Sequence, residues 1–320
     1  MWTKTVMLNK FYLLGKDRGW SSLFEAIINS FKSSSLKLIG KRFVKKKIYN
    51  YELWLDLKDA GISRGLMLFG QREMEHKIML EKVLKQGMTI YDIGANIGYY
   101  VCMERGLIGD NGRVVAIEPS PTNIDLLRRN IEHNGLEGVD IFQLAIGDKV
   151  SSEQFHLSRQ SNLNTFHNIG SGVQHLSGET IEVEMVTVPE LVKRTGLKPD
   201  LIRMDVEGHE VEVINGMLDE IALGNISPMI IFETHLTRYS EEHSIEKTLT
   251  RMFELGYKVK MVGSSRQSGS RILEQYGYSG GEEISTDGVV RKIFEDIKDA
   301  DAIEMISKKG GIRTVLLAKE

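Results

Sequence analysis

Cysteine is nearly missing from this chain. Cys102 stands alone among 320 residues, so no internal disulfide can form, and the composition suits a reducing compartment. Proline is scarce too, at 5 residues, while apolar residues make up 41%. Collagen-like, disulfide-scaffolded and disordered chains are therefore excluded as descriptions of the whole. No apolar run reaches the ~18 residues of a membrane span. The N-terminal apolar stretch is interrupted by Lys4, Asn9 and Lys10, and no small-residue cleavage site of a secretory signal follows. Positive charge is not in excess: 41 Lys and Arg face 44 Asp and Glu, a net −3. No global basic field argues for nucleic acid as a partner. The expectation is a soluble, cytoplasmic protein with room for one large α/β domain and small additions.

Charge is uneven along the chain. Residues 1–50 hold eleven Lys and Arg against Asp17 and Glu25, and residues 281–305 hold eight acids against three bases. In the first segment Leu23, Phe24, Ile27, Ile28 and Phe31 form an apolar stripe at helical spacing, followed by Lys41, Arg42, Lys45, Lys46 and Lys47. A helix packed on the main domain accounts for the stripe, and a peripheral contact with an anionic membrane is the second reading. Residues 1–70 are expected to form this basic, amphipathic cap, with the main domain at 71–320. Strands are expected at Thr89 to Gly94, Arg113 to Glu118, Val139 to Ala145, Asp200 to Val206, Met229 to Glu233 and Tyr257 to Val262, alternating with helices. That alternation implies a parallel sheet covered on both faces. A hairpin from Glu153 to Leu157 and Ile181 to Val186, with a Ser/Asn/Gly-rich loop between, forms an insertion over 150–187. A second insertion, 263–311, with a helix expected over Val289 to Met305, precedes a last strand, Arg313 to Ala318, antiparallel to Tyr257 to Val262.

The sharpest signal is Asp92-Ile-Gly-Ala-Asn-Ile-Gly at the end of the first strand of that sheet. Gly94 permits a tight turn, Gly98 lets the next helix approach, and a helix starting near Asn96 directs free N–H groups at whatever lies above. Glu118, at the tip of the next strand, can accept two hydrogen bonds from a ribose diol. A dinucleotide fold would carry G-x-G-x-x-G and space for a pyrophosphate. Here an acid precedes the glycines, and an acid attracts an α-ammonium group where it would repel phosphate. A ligand with an amino-acid end and no phosphates, such as S-adenosylmethionine, fits that electrostatics. A strand–helix turn without a ligand is the plain alternative.

Four motifs stand in order: Asp92-Ile-Gly-Ala-Asn-Ile-Gly-Tyr-Tyr, Val115-Ala-Ile-Glu-Pro-Ser-Pro, Ala145-Ile-Gly-Asp, and Pro199-Asp-Leu-Ile-Arg-Met-Asp-Val-Glu-Gly-His-Glu. Together they resemble the FkbM family of S-adenosylmethionine-dependent methyltransferases. The resemblance implies a Rossmann-like class I fold: a seven-stranded, mostly parallel sheet whose last strand is antiparallel. It implies that Gly94, Asn96 and Gly98 line the methionine part of the cofactor, that Glu118 holds the ribose, and that Ala145 and Ile146 flank adenine. Gln143 and Leu144 stand where many class I enzymes place an acid for the adenine amine. The family's segment before the first strand closes over the cofactor, which brings Glu73 and Glu75 under consideration for the ammonium. A plain exposed helix start explains them equally.

Asp205, Glu207, His209 and Glu210 crowd the junction after the fourth strand, at the edge where ligands bind in such sheets. Methyl transfer to a hydroxyl needs alignment and help with the proton. Asp205 and His209 are the candidate bases, with Asp205 also beside the cofactor, Glu207 as a substrate contact and Glu233 as a further acid facing substrate. Helix-dipole and solvation roles are the plain alternatives for the Glu and His side chains. Asp205 and Glu233 stand where related enzymes hold Mg²⁺, but Thr234 replaces the expected third oxygen ligand, so no metal is expected. In the hairpin loop Asn162, Asn164 and His167 are candidate contacts to a hydroxylated substrate, against the alternative that such residues simply make turns. His76, His133, His156, His175 and His243 show no ligand spacing, and Cys102 reads as a core residue. The reading is O-methylation of a sugar, glycan or secondary metabolite, with the sugar part resting on resemblance. An NAD-dependent oxidoreductase and a non-catalytic module retaining the fold are the competing functions.

Overall fold

A computed structural model of the chain describes residues 20–167, 176–286 and 289–320. His175 and the middle of the hairpin loop lie outside the described residues. In chain order, helix α1 (Trp20–Leu38) is followed by the antiparallel pair β1 (Phe43–Lys47) and β2 (Glu52–Asp56), then by α2 (Ile62–Phe69) and α3 (Met74–Val83). The alternating core begins with β3 (Thr89–Ile93), α4 (Tyr99–Ile108), β4 (Arg113–Ile117), α5 (Pro121–His133) and β5 (Val139–Phe142). A side sheet of β6 (Ala145–Ile146), β7 (Ser151–Ser158) and β8 (Leu176–Val186) interrupts it. The alternation resumes with α6 (Val188–Thr195), β9 (Leu201–Met204), α7 (Glu210–Asn215), α8 (Leu218–Ala222), β10 (Met229–Glu233), α9 (Ile245–Glu254) and β11 (Tyr257–Ser264). The chain closes with α10 (Gln267–Gln275), β12 (Ile284–Thr286), β13 (Val289–Arg291), β14 (Ile293–Glu295), α11 (Asp299–Glu304) and β15 (Ile312–Lys319).

The main sheet runs β14-β11-β15-β10-β9-β3-β4-β5. The pairs β5–β4, β4–β3, β3–β9 and β9–β10 are parallel, and β15 is antiparallel to both its neighbours. The expected seven strands are present with the reversed strand in place. An eighth, β14, is added at the edge, paired antiparallel to β11 through Met261 and Glu295. This corrects the expectation of one helix over Val289 to Met305. Its first half is two short strands, because Val289, Val290, Ile293 and Phe294 are β-branched or aromatic and Phe294 is buried under the sheet edge. The expected Val139 to Ala145 strand also divides. β5 stays in the main sheet, and after Gln143-Leu144 the chain leaves it to pair β6 with β8, Ala145 opposite Met185.

Period-two alternation sends successive strand residues to opposite layers. Tyr91, Ile93, Val115, Ile117, Ile202, Met204, Ile230 and Phe232 join one core cluster with α7, α9 and α11. Ile90, Val114, Ala116, Leu201 and Ile231 join the other. The N-terminal segment belongs to that second layer: Leu53, Leu55, Leu66 and Met79 pack in it with Cys102 of α4. Asn130 of α5 fastens it, accepting from Trp54 N at 2.6 Å and donating to Ile97 O at 2.8 Å. Of the apolar stripe on α1, Leu23 is buried, as is Ala26, while Phe24, Ile28 and Phe31 are exposed. Packing therefore accounts for part of the stripe only.

Because Leu55 is fully enclosed in the common core, Leu55→Ala is expected to lower stability by about 2–5 kcal/mol. Urea denaturation should show one transition; a separate early transition for residues 43–69 would contradict a shared core.

Candidate active site

The turn after β3 has little freedom. Gly94 sits at φ +82°, and a Cβ there would come within 2.3 Å of the Asp205 carbonyl oxygen. Only glycine lets this turn pass beneath the end of β9. The N–H groups of Gly94 and Ala95 both donate to Ile117 O at 2.9 Å, which ties the turn to the tip of β4. Asn96 is left-handed, at φ 50°. Its N–H donates to Glu118 Oε2 at 2.9 Å and its Nδ2 donates to Ser161 O at 3.1 Å. The helix begins at Tyr99, three residues beyond the expected start near Asn96. Gly98 faces α5 instead of the crevice: a Cβ there would lie 2.7 Å from Leu127 Cδ1.

Asp92 lies beneath the crevice and not on its lining. It is fully buried and accepts from Arg203 Nη1 at 3.0 Å. The same guanidinium lies 3.5 Å from Asp205 Oδ2, and its carbon sits 4.1 Å above the Tyr100 ring centroid. Arg203, on β9, thus joins β3, β9 and α4 directly under the crevice. Its charge leaves Asp92 little field to offer an ammonium group above. Arg203 was quoted within a motif in the sequence but given no role there. A charged residue inside an otherwise apolar strand, one strand across from Asp92, was the signal.

Above this ion pair lies a crevice of about 850 Å³, its open mouth included. It is lined by Gly94, Ala95, Asn96, Glu118, Leu144, Ala145 and Ile146, by Glu73 and Tyr100, and by Asp205, Glu207, His209, Asn162, Asn164 and Phe166. Glu118 accepts from Asn96 N, Ser120 N and Asn123 Nδ2. Burial pushes its carboxyl up to about 7 against those donors. Glu73 and Glu75 are not exposed at all: Glu73 receives the Tyr100 hydroxyl at 2.7 Å and Arg313 Nη2 at 3.0 Å, and Glu75 is paired with Arg291 away from the crevice.

The acidic junction is real in space. Glu207 and Gly208 take left-handed backbone, φ 52° and 103°, which folds the chain so that Asp205 and Glu207 face the crevice. Burial, with Asp205 and Glu210 adding to it and His235 opposing, raises the Glu207 carboxyl to about 7. His209 lines the crevice, but its Nδ1 faces Glu212 at 3.3 Å and His167 at 3.4 Å. Burial lowers its basicity. Glu233 stands behind the crevice wall, held by Arg313 Nη1 at 2.6 Å; burial raises its carboxyl to about 8 with Arg313 opposing.

His235 is the residue that sequence reasoning passed over in favour of Thr234. Thr234 Oγ1 merely donates to Ile312 O. His235 instead meets Glu210 at 2.8 Å, Glu207 at 3.7 Å and Asp205 at 3.8 Å. Although burial would lower it, Glu210 and then Glu207 hold its basicity well above the usual range. Ligand atoms of Asp205, Glu233 and His235 lie within 4.8 Å of one another. His235 thus stands as the third member of the group where Thr234 does not.

In the hairpin arm, Asn164 spends its side chain on the turn, accepting from Ser158 N and donating to Ser161 O. Asn162 faces the crevice with an unbonded, buried Oδ1. His167 turns away from the crevice toward Glu212 and His243. His243 is therefore no isolated surface residue, whereas His133 meets Glu52 and the Trp54 ring and His76 packs, buried, on Tyr100.

Arg203→Ala would leave Asp92 as an uncompensated buried charge and is expected to destabilise by about 3–5 kcal/mol. Guanidinium denaturation reads this, and an unchanged midpoint would contradict the pairing.

Comparison with known proteins follows the same map. The family model described as Methyltransferase FkbM domain matches residues 92–259. Hexuronic acid methyltransferase AglP of Haloferax volcanii is 24% identical over 244 residues, covering 73% of this chain and 90% of that protein. Methyltransferase 1 of Beauveria bassiana is 29% identical over 149 residues, covering 41% and 59%. A solved FkbM methyltransferase from Methylobacillus flagellatus aligns at 15% identity and a TM-score of 0.36, covering 72% of this chain and about half of the other, 52%. The family match takes in both the Gly94 turn and the Asp205 junction. The chain belongs to the FkbM methyltransferase family, with the class I methyltransferase fold, which sets aside both the oxidoreductase and the non-catalytic module.

Proposed function

We propose that this enzyme transfers a methyl group from S-adenosylmethionine to a hydroxyl of a sugar or related metabolite, in the crevice between the Gly94 turn and the Asp205–Glu207 junction. The observation that carries the reading is the convergence of a glycine turn, the buried acid Glu118 at a strand tip and the acid Glu207 on one crevice. Sugar as the acceptor class is supported by the relationship to AglP, whose name assigns it hexuronic acid.

The residues fit the donor. A side chain at position 94 would fill the turn, and Asn96 Oδ1 and Asp205 Oδ1 are buried without hydrogen bonds, so each can receive a donor from a ligand. Glu118 retains acceptor capacity beyond its three bonds, suited to a ribose diol. Leu144, Ala145 and Ile146 offer an apolar slot for a base. Glu73 lines the crevice beside Tyr100 and is the acid we assign to the ammonium group. Bound there, the cofactor supplies an electrophilic methyl group. The protein's part is to align the acceptor oxygen and take its proton.

Glu207 is the group we assign to the proton. Its carboxyl near 7 matches the requirement that a general base be poised at the working pH. Asp205 orients the hydroxyl, and His235 balances the two acids. His209 is neutral and committed to Glu212 and His167, which makes it a wall of the acceptor end. Asn162 is the hairpin's hydrogen-bonding contribution.

Calorimetry should show micromolar-range binding of S-adenosylhomocysteine and none of NAD, with Glu118→Ala weakening the former at least tenfold. Unchanged affinity would remove the ribose assignment. Since Glu207 accepts a proton only when ionised, the rate should fall about tenfold per unit as pH drops below about 7. Glu207→Gln should lose at least a hundredfold in kcat together with that acidic limb. The acceptor is found by incubating enzyme and isotopically labelled cofactor with cell extract and with uronic-acid oligosaccharides, then reading which species gains mass; methylation of protein or nucleic acid alone would overturn the sugar reading.

A further inference from the structure

Behind the acceptor end lies a second cluster, of which only His209 also lines the crevice. His167 comes from the hairpin arm, His209 and Glu212 from the start of α7, and His243 from the loop before α9. Ligand atoms of His167, Glu212 and His243 fall within 4.8 Å of one another. His209 Nδ1 adds a fourth, 3.3 Å from Glu212 Oε2 and 3.4 Å from His167 Nε2. We propose that His167, His209, Glu212 and His243 form a binding site for a divalent transition-metal ion of the zinc type, which clips the hairpin arm to the α7 junction.

Three observations support it. The first is spacing. Ligand atoms at about 2.0–2.1 Å from a tetrahedral zinc ion stand about 3.3 Å apart. The separations here, 2.9 Å for His243 Nδ1–Glu212 Oε1, 3.3 Å for His209 Nδ1–Glu212 Oε2, 3.4 Å for His209 Nδ1–His167 Nε2 and 3.9 Å for His167 Nε2–Glu212 Oε2, bracket that value, with one carboxylate oxygen toward His243 and the other toward His209 and His167. The second is an unmet valence. Glu212 Oε2 is enclosed and accepts no hydrogen bond, although two imidazole nitrogens lie beside it. The third is the outer contact. His243 Nε2 lies 2.7 Å from Gly208 O, and a carbonyl can only accept, so that nitrogen carries the proton. Without an ion, Nδ1 of that ring donates to Glu212 Oε1 at 2.9 Å; a bound ion would displace that proton and take the lone pair. A backbone carbonyl holding the far N–H of an imidazole is the usual support of a metal-bound histidine. Nitrogen-rich sets of this kind favour zinc and its neighbours over magnesium or calcium.

The consequence is mechanical. His167 follows Asn162, Asn164 and Phe166 in the same arm, and those three line the crevice. A bound ion would hold that wall of the acceptor end in place. The proposal stands independently of the donor and acceptor assigned above.

The test uses the full chain, untagged and stripped with chelator, titrated with zinc sulfate. One equivalent should bind below micromolar Kd. Glu212→Gln and His243→Ala should each weaken it 10–100-fold or more, and His133→Ala should leave it unchanged. Cobalt(II) should give the visible absorption of a tetrahedral site and lose it in the same variants. Circular dichroism verifies their folding, and His167→Ala, on the arm outside the main sheet, replaces any that fails. Absence of stoichiometric binding, or binding indifferent to these substitutions, overturns the proposal.

Discussion

The crevice depends on one buried charge. Arg203 enters the sheet from β9 and neutralises Asp92 of β3 while reaching Asp205 at its own strand's end. A guanidinium taken out of water is tolerated only with partners of good geometry on several sides. Here they are a carboxylate, the Gly94 carbonyl at 3.3 Å, a second carboxylate and an aromatic face. Each partner lies at a strand end or on the first turn of α4. Satisfying the charge therefore fixes the relative heights of the elements that bound the crevice floor.

The same logic extends upward. The crevice is rich in acids, and cations balance them: Arg203 below, Arg72 and Arg313 beside Glu73, Arg313 also beside Glu233, and His235 among Asp205, Glu207 and Glu210. His235 and Arg238 oppose the burial of Glu207, which still leaves it near neutrality. A carboxyl in that state can hold a proton or release one under working conditions, which is what a reluctant hydroxyl nucleophile calls for.

Much of this was legible in the chain itself. Alternating apolar strands, the Gly94 turn and the reversed last strand are written locally, because turn conformation and strand pattern depend on residues close in sequence. The Asp205–Glu207 junction was legible for the same reason. The edge strand at Ile293 was not, since three residues cannot declare a strand without the partner edge of β11. The sequence left Glu73 and Glu75 open between a cofactor contact and an exposed helix start, because Arg313 and Arg291, which meet them, lie more than two hundred residues away.

The sequence by itself determined the sheet's architecture, the position of the glycine turn and the family to which the chain belongs. Those follow from period, turn chemistry and motif order. Only the tertiary structure decided which acid faces the crevice and which is silenced beneath it. Asp92 and Glu207 are both carboxylates at strand ends, and nothing local separates them. The difference is that a long-range arginine meets one of them, while the other is enclosed with acids at its side. Likewise the grouping of His167, His209 and His243 comes from three segments brought together by the fold, a nearness that no spacing along the chain encodes.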